Sequence, residues 1–170
     1  KKIGHPPTIL VTGGSSGSQI INEVIDKLLD TLLETYKVIH QTGENNLNYF
    51  LDRKEKLSQN LFSHYEVFGY VNPKIQAENF ERADIVVARA GANTVSDIVA
   101  SKRPAILIPI PWTIGNEQVK NAKRAEKTGL ITVVEQDDLT PELLLNKITD
   151  IKNSWETIVK HTKLTDYDID

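Results

Sequence analysis

The sequence predicts an α/β fold built on a doubly wound parallel sheet. Short β-branched apolar runs alternate with stretches of helical period along the whole chain. The first run opens directly into a glycine-rich turn. A later run, residues 84–88 (DIVVA), is apolar almost without alternation, as a strand buried on both faces of a parallel sheet must be.

Thr8–Thr12 (TILVT) reads as the first strand and runs into Gly13-Gly14-Ser15-Ser16-Gly17. Apolar residues then recur at Ile20, Ile21, Val24, Ile25, Leu28, Leu29, Leu32 and Leu33, which is one face of a helix. Residues 36–41 read as a strand, 48–59 as a helix, 65–70 as a strand and 75–82 as a helix. The buried run 84–88 is followed by a helix over Ala92–Ser101, a strand over 104–110, a helix over 116–127 and a strand over 131–135. Thr140-Pro141-Glu142 starts the last helix, with Thr140 as N-cap and Pro141 in the first turn, where its missing N–H is no loss. That pattern continues through Trp155 to about Lys160, and residues 164–170 are expected to fray. Strands alternating with helices imply right-handed crossovers and a Rossmann-like doubly wound parallel sheet covered on both faces. No linker, repeat or low-complexity stretch interrupts it, so residues 1–170 read as a single domain with a core over about 7–150 and a helical tail over about 151–170.

At 170 residues a single domain buries roughly 70% of its unfolded surface, enough for a full core. A composition 39% hydrophobic and 25% charged argues against disorder, fibre and membrane classes. The absence of cysteine excludes disulfides, thiolate metal ligands and a cysteine nucleophile, and fits a cytosolic setting. No run approaches the ~18 apolar residues of a membrane span, and Lys1-Lys2-Ile3-Gly4-His5 has no apolar signal core. A net charge of -3 argues against nucleic-acid binding, which needs clustered Lys and Arg. The chain has no methionine even at position 1, so it is expected to be a piece of a larger protein.

In such sheets ligands bind beyond the carboxyl ends of the strands, and a glycine turn opening a helix brings backbone N–H groups to a diphosphate. Residues 13–18, with Gly14, Ser15 and Gly17, are therefore a candidate phosphate cradle, or a tight turn with no ligand. A dehydrogenase reading fails in detail. Gln19 stands where a last glycine belongs, Pro73 breaks the Tyr70-x-x-x-Lys74 spacing, and the second strand ends in His40-Gln41-Thr42 with no acid to hold a ribose. No lysine follows the turn, which excludes an ATP P-loop. Asp166-Tyr167-Asp168 imitates a metal-binding Asp-x-Asp but sits in the tail.

Two further segments carry polar chemistry. Arg89-Ala90-Gly91-Ala92-Asn93-Thr94-Val95-Ser96-Asp97 joins the buried strand to a helix, so a second helix N-terminus faces the same crevice. Asp97, one turn inside, either accepts two ribose hydroxyls or complements the helix dipole. Pro109-Ile110-Pro111-Trp112-Thr113-Ile114-Gly115-Asn116-Glu117-Gln118 follows a strand and crowds Asn116, Glu117, Gln118 and Asn121 at a helix start. Such groups read sugar hydroxyls, or else Asn116 is simply an N-cap with solvated neighbours.

Together Gly13-Gly14-Ser15-x-Gly17, Arg89-x-Gly91-Ala92-x-Thr94-Val95-Ser96 and Pro109-x-Pro111 through Gly115-Asn116-x-Gln118 with Asn121-Ala122 resemble, in order and spacing, the C-terminal domain of the MurG family. Gly129 and Glu135-Gln136-x-x-Leu139 are similar too, so the resemblance covers about residues 7–150. It implies one half of a GT-B two-domain glycosyltransferase, with UDP-GlcNAc on this domain and a lipid-linked acceptor mainly on an N-terminal acceptor domain absent from this chain. By the resemblance, Gly14, Ser15, Gly17 and neighbouring amides meet the diphosphate. Arg89, Gly91, Ala92, Asn93 and Thr94 line the phosphate and ribose region, and Asp97 holds the ribose. Glu117 and Gln118 read the GlcNAc hydroxyls, and backbone at Tyr70 and Val71 holds the uracil. The chain departs from the family at Asp97, often Glu there, and at Glu117, often Gln or His.

The implied reaction is inverting transfer of GlcNAc to undecaprenyl-diphospho-MurNAc-pentapeptide in peptidoglycan synthesis. Helix N-termini and amides stabilise the departing UDP. The resemblance implies neither a metal nor another cofactor, and it implies a peripheral position on the cytoplasmic face of the membrane for the whole enzyme. None of His5, His40, His64 and His161 falls in a motif, so each reads as structural or exposed, and the catalytic base is expected on the absent domain. The alternative is a stand-alone UDP-sugar-binding subunit of an Alg13-like two-chain transferase. A UDP-GlcNAc 2-epimerase half shares the fold and ligand but is not supported by these motifs.

Overall fold

The computed structural model describes residues 2–164. In chain order these form β1 (Thr8–Thr12), α1 (Gln19–Leu33), β2 (Lys37–Gln41), α2 (Glu44–Glu55), the short α3 (Gln59–Phe62), β3 (Tyr65–Phe68), α4 (Pro73–Arg82), β4 (Ile85–Ala88), α5 (Ala92–Ser101), β5 (Ala105–Leu107), α6 (Glu117–Glu126), β6 (Ile131–Val133) and α7 (Pro141–Lys160). Single 3-10 turns lie at Ile114–Asn116 and Gln136–Asp138. The strands make one sheet in the order β3-β2-β1-β4-β5-β6, every neighbouring pair parallel. This is the doubly wound Rossmann-like architecture that the alternation predicts.

The period of two in the strands divides the core into two layers. Ile9, Val11, Ile85, Val87 and Ile106 point to one face, where the Ile21-to-Leu33 stripe of α1 and the apolar stripe of α7 cover them. Leu10, Val86, Ala88, Ala105 and Leu107 point to the other, under Phe80 of α4, Val95, Ile98 and Val99 of α5, and Ala122 and Ala125 of α6. Each fully buried Leu, Ile or Val contributes about 1.5–3 kcal/mol relative to exposure, so burial on both faces explains why the strands carry unbroken apolar runs.

Several boundaries differ from the sequence expectation. The helix expected over 48–59 is two: α2 starts earlier, directly after Gly43 (φ 80°), and stops where Leu57 turns inward, after which α3 restarts behind Ser58. The strand expected over 104–110 pairs only as Ala105–Leu107, because Pro109 has no N–H for the ladder. α4 begins at Pro73, two residues before the predicted start, with the Asn72 side chain accepting from Ile75 N. The core also reaches beyond residue 150. Ile151 and Trp155 of α7 are buried, and the Trp155 indole N–H donates to Asp84 O at 2.7 Å. Leu164 packs partly buried against the second layer. Asp166-Tyr167-Asp168 and the rest of the tail expected to fray lie outside the described residues.

One buried polar knot ties α1 to the sheet. His40 is fully buried, with Nε2 against Asn22 Oδ1 and Nδ1 against Tyr65 Oη, each at 2.9 Å. Asn22 Nδ2 donates to Thr42 O, so Oδ1 is the acceptor and His40 carries its proton on Nε2. Burial drives the imidazole from its ordinary 6.5 to about 3, so it is neutral in the fold.

Below pH 6.5 the unfolded chain therefore binds a proton that the folded chain refuses, and stability falls with pH until about 3. Urea melts are expected to lose about 2 kcal/mol from this group between pH 7 and 5, a loss that His40→Gln removes. Equal slopes for both proteins would show that His40 does not stay neutral. Trp155→Ala is expected to cost about 3–5 kcal/mol in the same melts, and a loss below ~1 kcal/mol would place α7 outside the cooperative core.

Candidate functional site

β1 and β4 are neighbours in the sheet, yet the chain leaves them toward opposite edges. Their carboxyl ends therefore open a crevice, the place where such sheets bind ligands. Two turns enter it: residues 13–18 after β1 and residues 89–91 after β4.

The first turn is compressed against its neighbours. A Cβ on Gly13 would lie 2.2 Å from Ser18 N, and one on Gly17, whose φ is 75°, would lie 2.2 Å from Thr42 O. Only glycine allows both approaches. Gly14 N donates to Thr12 Oγ1 at 3.1 Å and Gly17 N to Gly14 O at 3.2 Å, so what the turn retains for an anion is the exposed Ser15-Ser16 segment, with the Ser15 hydroxyl. Ser18 caps α1, its hydroxyl accepting from Ile21 N.

Beside the turn lies an open cleft of about 290 Å³. It is lined by Gly14, Ser15, Tyr70, Val71, Asn93, Thr94 and Asp97, all singled out in the sequence, from the turn after β1, the turn after β3 and α5. Gly91 caps α5 without a side chain, which leaves the first amides of that helix open to an outside acceptor. Partial burial pushes the Asp97 carboxyl up from its ordinary value of 3.8. Thr12, Gln41, Pro73 and Gln76 also line the cleft, and the motif reading missed them. Gln41 had a positional signal: it ends the second strand, where a dinucleotide fold places its ribose acid.

A second hollow of about 340 Å³ lies between α1 and α2. Its Asp26 is already engaged by Arg53 and Tyr49.

Arg89 lies beneath the crevice instead of lining it. Only 8% exposed, it donates from Nε to Ser18 Oγ at 3.1 Å, from Nη1 to Ile108 O at 3.0 Å and from Nη2 to Gln136 Oε1 at 2.8 Å. Those acceptors are all neutral, and burial lowers the affinity of Arg89 for its proton. A guanidinium stays charged nonetheless, so a positive charge with no carboxylate partner among the described residues sits under the glycine turn.

Gln118 and Glu117 do not reach the cleft. Gln118 Oε1 accepts from Ala90 N at 3.3 Å and Ile110 N at 3.0 Å, while Asn121 Nδ2 donates to Ala90 O at 3.0 Å. These residues of α6 therefore lock the turn after β4 to the end of β5. Glu117 is exposed in the first turn of α6. Asn116 makes no capping hydrogen bond; it is left-handed (φ 55°) beside Gly115 (φ 65°), so the expected cap is a tight bend instead.

Comparison with known proteins agrees with this fold. Residues 8–165 match the glycosyltransferase family 28 C-terminal domain. Over 158 residues the chain is 36% identical to the UDP-N-acetylglucosamine–N-acetylmuramyl-(pentapeptide) pyrophosphoryl-undecaprenol N-acetylglucosamine transferase of Clostridium kluyveri, covering 92% of this chain and 42% of that one. The chain thus spans less than half the length of that relative. The crystal structure of Acinetobacter baumannii MurG superposes with a TM-score of 0.75 at 26% identity, over 94% of this chain and 46% of that one. The solution structure of ALG13 shares the fold at a TM-score of 0.53 and 17% identity, over 87% of this chain and 85% of that one. With residues 8–165 matched, this chain belongs to the glycosyltransferase family 28 C-terminal domain family.

Proposed function

We propose that the cleft binds UDP-GlcNAc and that the chain is the donor-binding half of a GT-B N-acetylglucosaminyltransferase that extends undecaprenyl-diphospho-MurNAc-pentapeptide. The observation that carries this reading is the convergence of Ser15, Val71, Thr94 and Asp97, from three separate segments, on one cleft at the switch point of the sheet. In it the diphosphate lies against Ser15 and the amides opening α1 and α5, with the Arg89 charge beneath. Asp97 accepts the ribose hydroxyls, and backbone at Tyr70 and Val71 meets the base. Glu117 and Gln118, outside this cleft, stand nearer the sugar end. Charge grows on the departing UDP in the transition state, and preorganised amides with a buried cation stabilise it with little reorganisation.

The acceptor, the catalytic base and the peripheral membrane contact belong, in this reading, to the N-terminal acceptor domain. Among the described residues no helix is long and apolar enough to cross a membrane. A relative at 36% identity, named as an N-acetylglucosamine transferase and matched over 42% of its own length, favours this reading over an Alg13-like subunit, for which only the fold speaks.

Calorimetric titration tests the donor site. The chain is expected to bind UDP-GlcNAc saturably without turning it over, and to ignore NADH. Asp97→Ala is expected to weaken binding about tenfold, the loss of a charge-assisted hydrogen bond, and Ser15→Trp to abolish it by filling the turn. Binding of NADH in place of UDP-GlcNAc, or full affinity in Ser15→Trp, would overturn the reading.

The raised Asp97 carboxyl adds a pH signature. The ionised form accepts both hydroxyls, so affinity is present above its folded value and is lost as pH falls through it, in a window lying above 3.8. UDP-GlcNAc affinity is expected to weaken from pH 7 to 4 in the natural chain and to stay flat in Asp97→Asn. Parallel profiles in the two proteins would remove Asp97 from the site.

A further inference from the structure

Of the three acceptors that hold Arg89, one comes from a side chain whose charged counterpart has the same shape. Ser18 Oγ and Ile108 O are a hydroxyl and a backbone carbonyl, whereas Nη2 donates to the amide oxygen of Gln136 at 2.8 Å. A glutamate there would present the same oxygen to the guanidinium through a charge-assisted and therefore stronger bond. Gln136 is buried in the 3-10 turn Gln136–Asp138, while its acidic neighbours Glu135, Asp137 and Asp138 are exposed. A clamp built for stability alone favours the carboxylate, because a buried cation without a counter-charge keeps its desolvation uncompensated. The amide is the weaker choice for the fold, and what it preserves is the charge.

That charge is close to the crevice. Ser18 is the N-cap of α1, so the guanidinium stands one hydrogen bond behind the residue at which that helix opens. From this arrangement we propose that Gln136 is a positioning residue of the donor site: it fixes the guanidinium from behind and leaves its charge uncancelled, so that the crevice favours a ligand for its negative charge. The proposal rests on the donor-binding reading and names a residue, outside the cleft lining, that sets how strongly the site holds a diphosphate. Gln136 touches no ligand and acts through Arg89. With a carboxylate in its place the pair is neutral, and the anion is left with the turn and the helix ends, which carry only partial charges. With the amide, a full unit charge acts through a region shielded from water, where it is weakly screened.

The test compares the 170-residue chain with Gln136→Glu and Gln136→Met, by thermal melts and by ligand-observed NMR titration with uridine and with UDP. Uridine has the base and ribose of UDP and no charge. Gln136→Glu is expected to melt at or above the temperature of the natural chain and yet to bind UDP about tenfold more weakly, the effect of one unit charge cancelled in a partly desolvated site, with uridine affinity unchanged. Gln136→Met removes the hydrogen bond and keeps the charge, so it is expected to melt lower and still bind UDP better than Gln136→Glu does. A purely structural clamp gives the opposite order, UDP affinity following stability, and that order would overturn the assignment of Gln136. Full UDP affinity in Gln136→Glu, equal losses for uridine and UDP, or a natural chain that holds uridine as tightly as UDP would overturn it too, each leaving the donor site standing. A natural chain that binds neither would overturn the donor-binding reading along with it.

Discussion

The buried guanidinium of Arg89 is the constraint on which the crevice depends. Its donors reach the N-cap of α1, the carbonyl that ends the β5 segment, and the 3-10 turn before α7, elements far apart in sequence. With neutral acceptors, the desolvation of this cation is not offset by an opposite charge among the described residues. The arrangement is stable because three hydrogen bonds hold the group in place and a large core surrounds it. Its consequence is electrostatic: a fixed positive charge lies under the turn that an anion would occupy, shielded from water and therefore weakly screened. The site has no need of an exposed lysine there, and no lysine lines the cleft.

The glycine turn is held from the other side by β2. Gly17 rests on the backbone of Thr42, Gly43 packs against Ser16, and Asn22 donates to Thr42 O while accepting from His40. Backbone-to-backbone packing of this kind fixes the turn more tightly than side chains can, since there are no rotamers to move. It accounts for glycine at three positions where the local chain would otherwise admit many residues. His40 belongs to this support as a neutral imidazole with both ring nitrogens partnered.

Much of this was legible in the sequence because it follows from periodicity. The unbroken apolar runs at β1 and β4 and the Ile21-to-Leu33 stripe specify which faces are buried, and burial specifies a parallel sheet with helices on both sides. That Ser15, Asn93, Thr94 and Asp97 line one cleft was legible because they stand in the turns and first helical turn that follow β1 and β4, where such sheets open a crevice. Other features depend on contacts between distant segments. That Arg89 points beneath the crevice, and that Gln118 holds two backbone amides instead of facing a ligand, follow from partners many residues away. Trp155 was legible only as the end of a weak pattern, since its burial requires α7 to cross β4. Gln76 lies in a helix whose apolar pattern is ordinary, and nothing local marks its oxygen as unpartnered.

The rim of the site follows from the same chemistry. Pro109 and Pro111 end the β5 ladder early, and the chain then turns through two left-handed residues, Gly115 and Asn116, before α6 can begin. The loop so formed holds Trp112 and Ile114 in water, 71% and 95% exposed, beyond the carboxyl end of the sheet. Gln118 and Asn121 hold its base rigidly to the turn after β4, so the apolar tip is presented in a fixed place. An apolar tip held rigid costs free energy in an isolated domain and gains it back only against a second surface. Under the proposed function, that surface would be the acceptor half of a two-domain transferase. The floor of the crevice is built within this chain from the turns after β1, β3 and β4, and the exposed apolar tip stands at its rim.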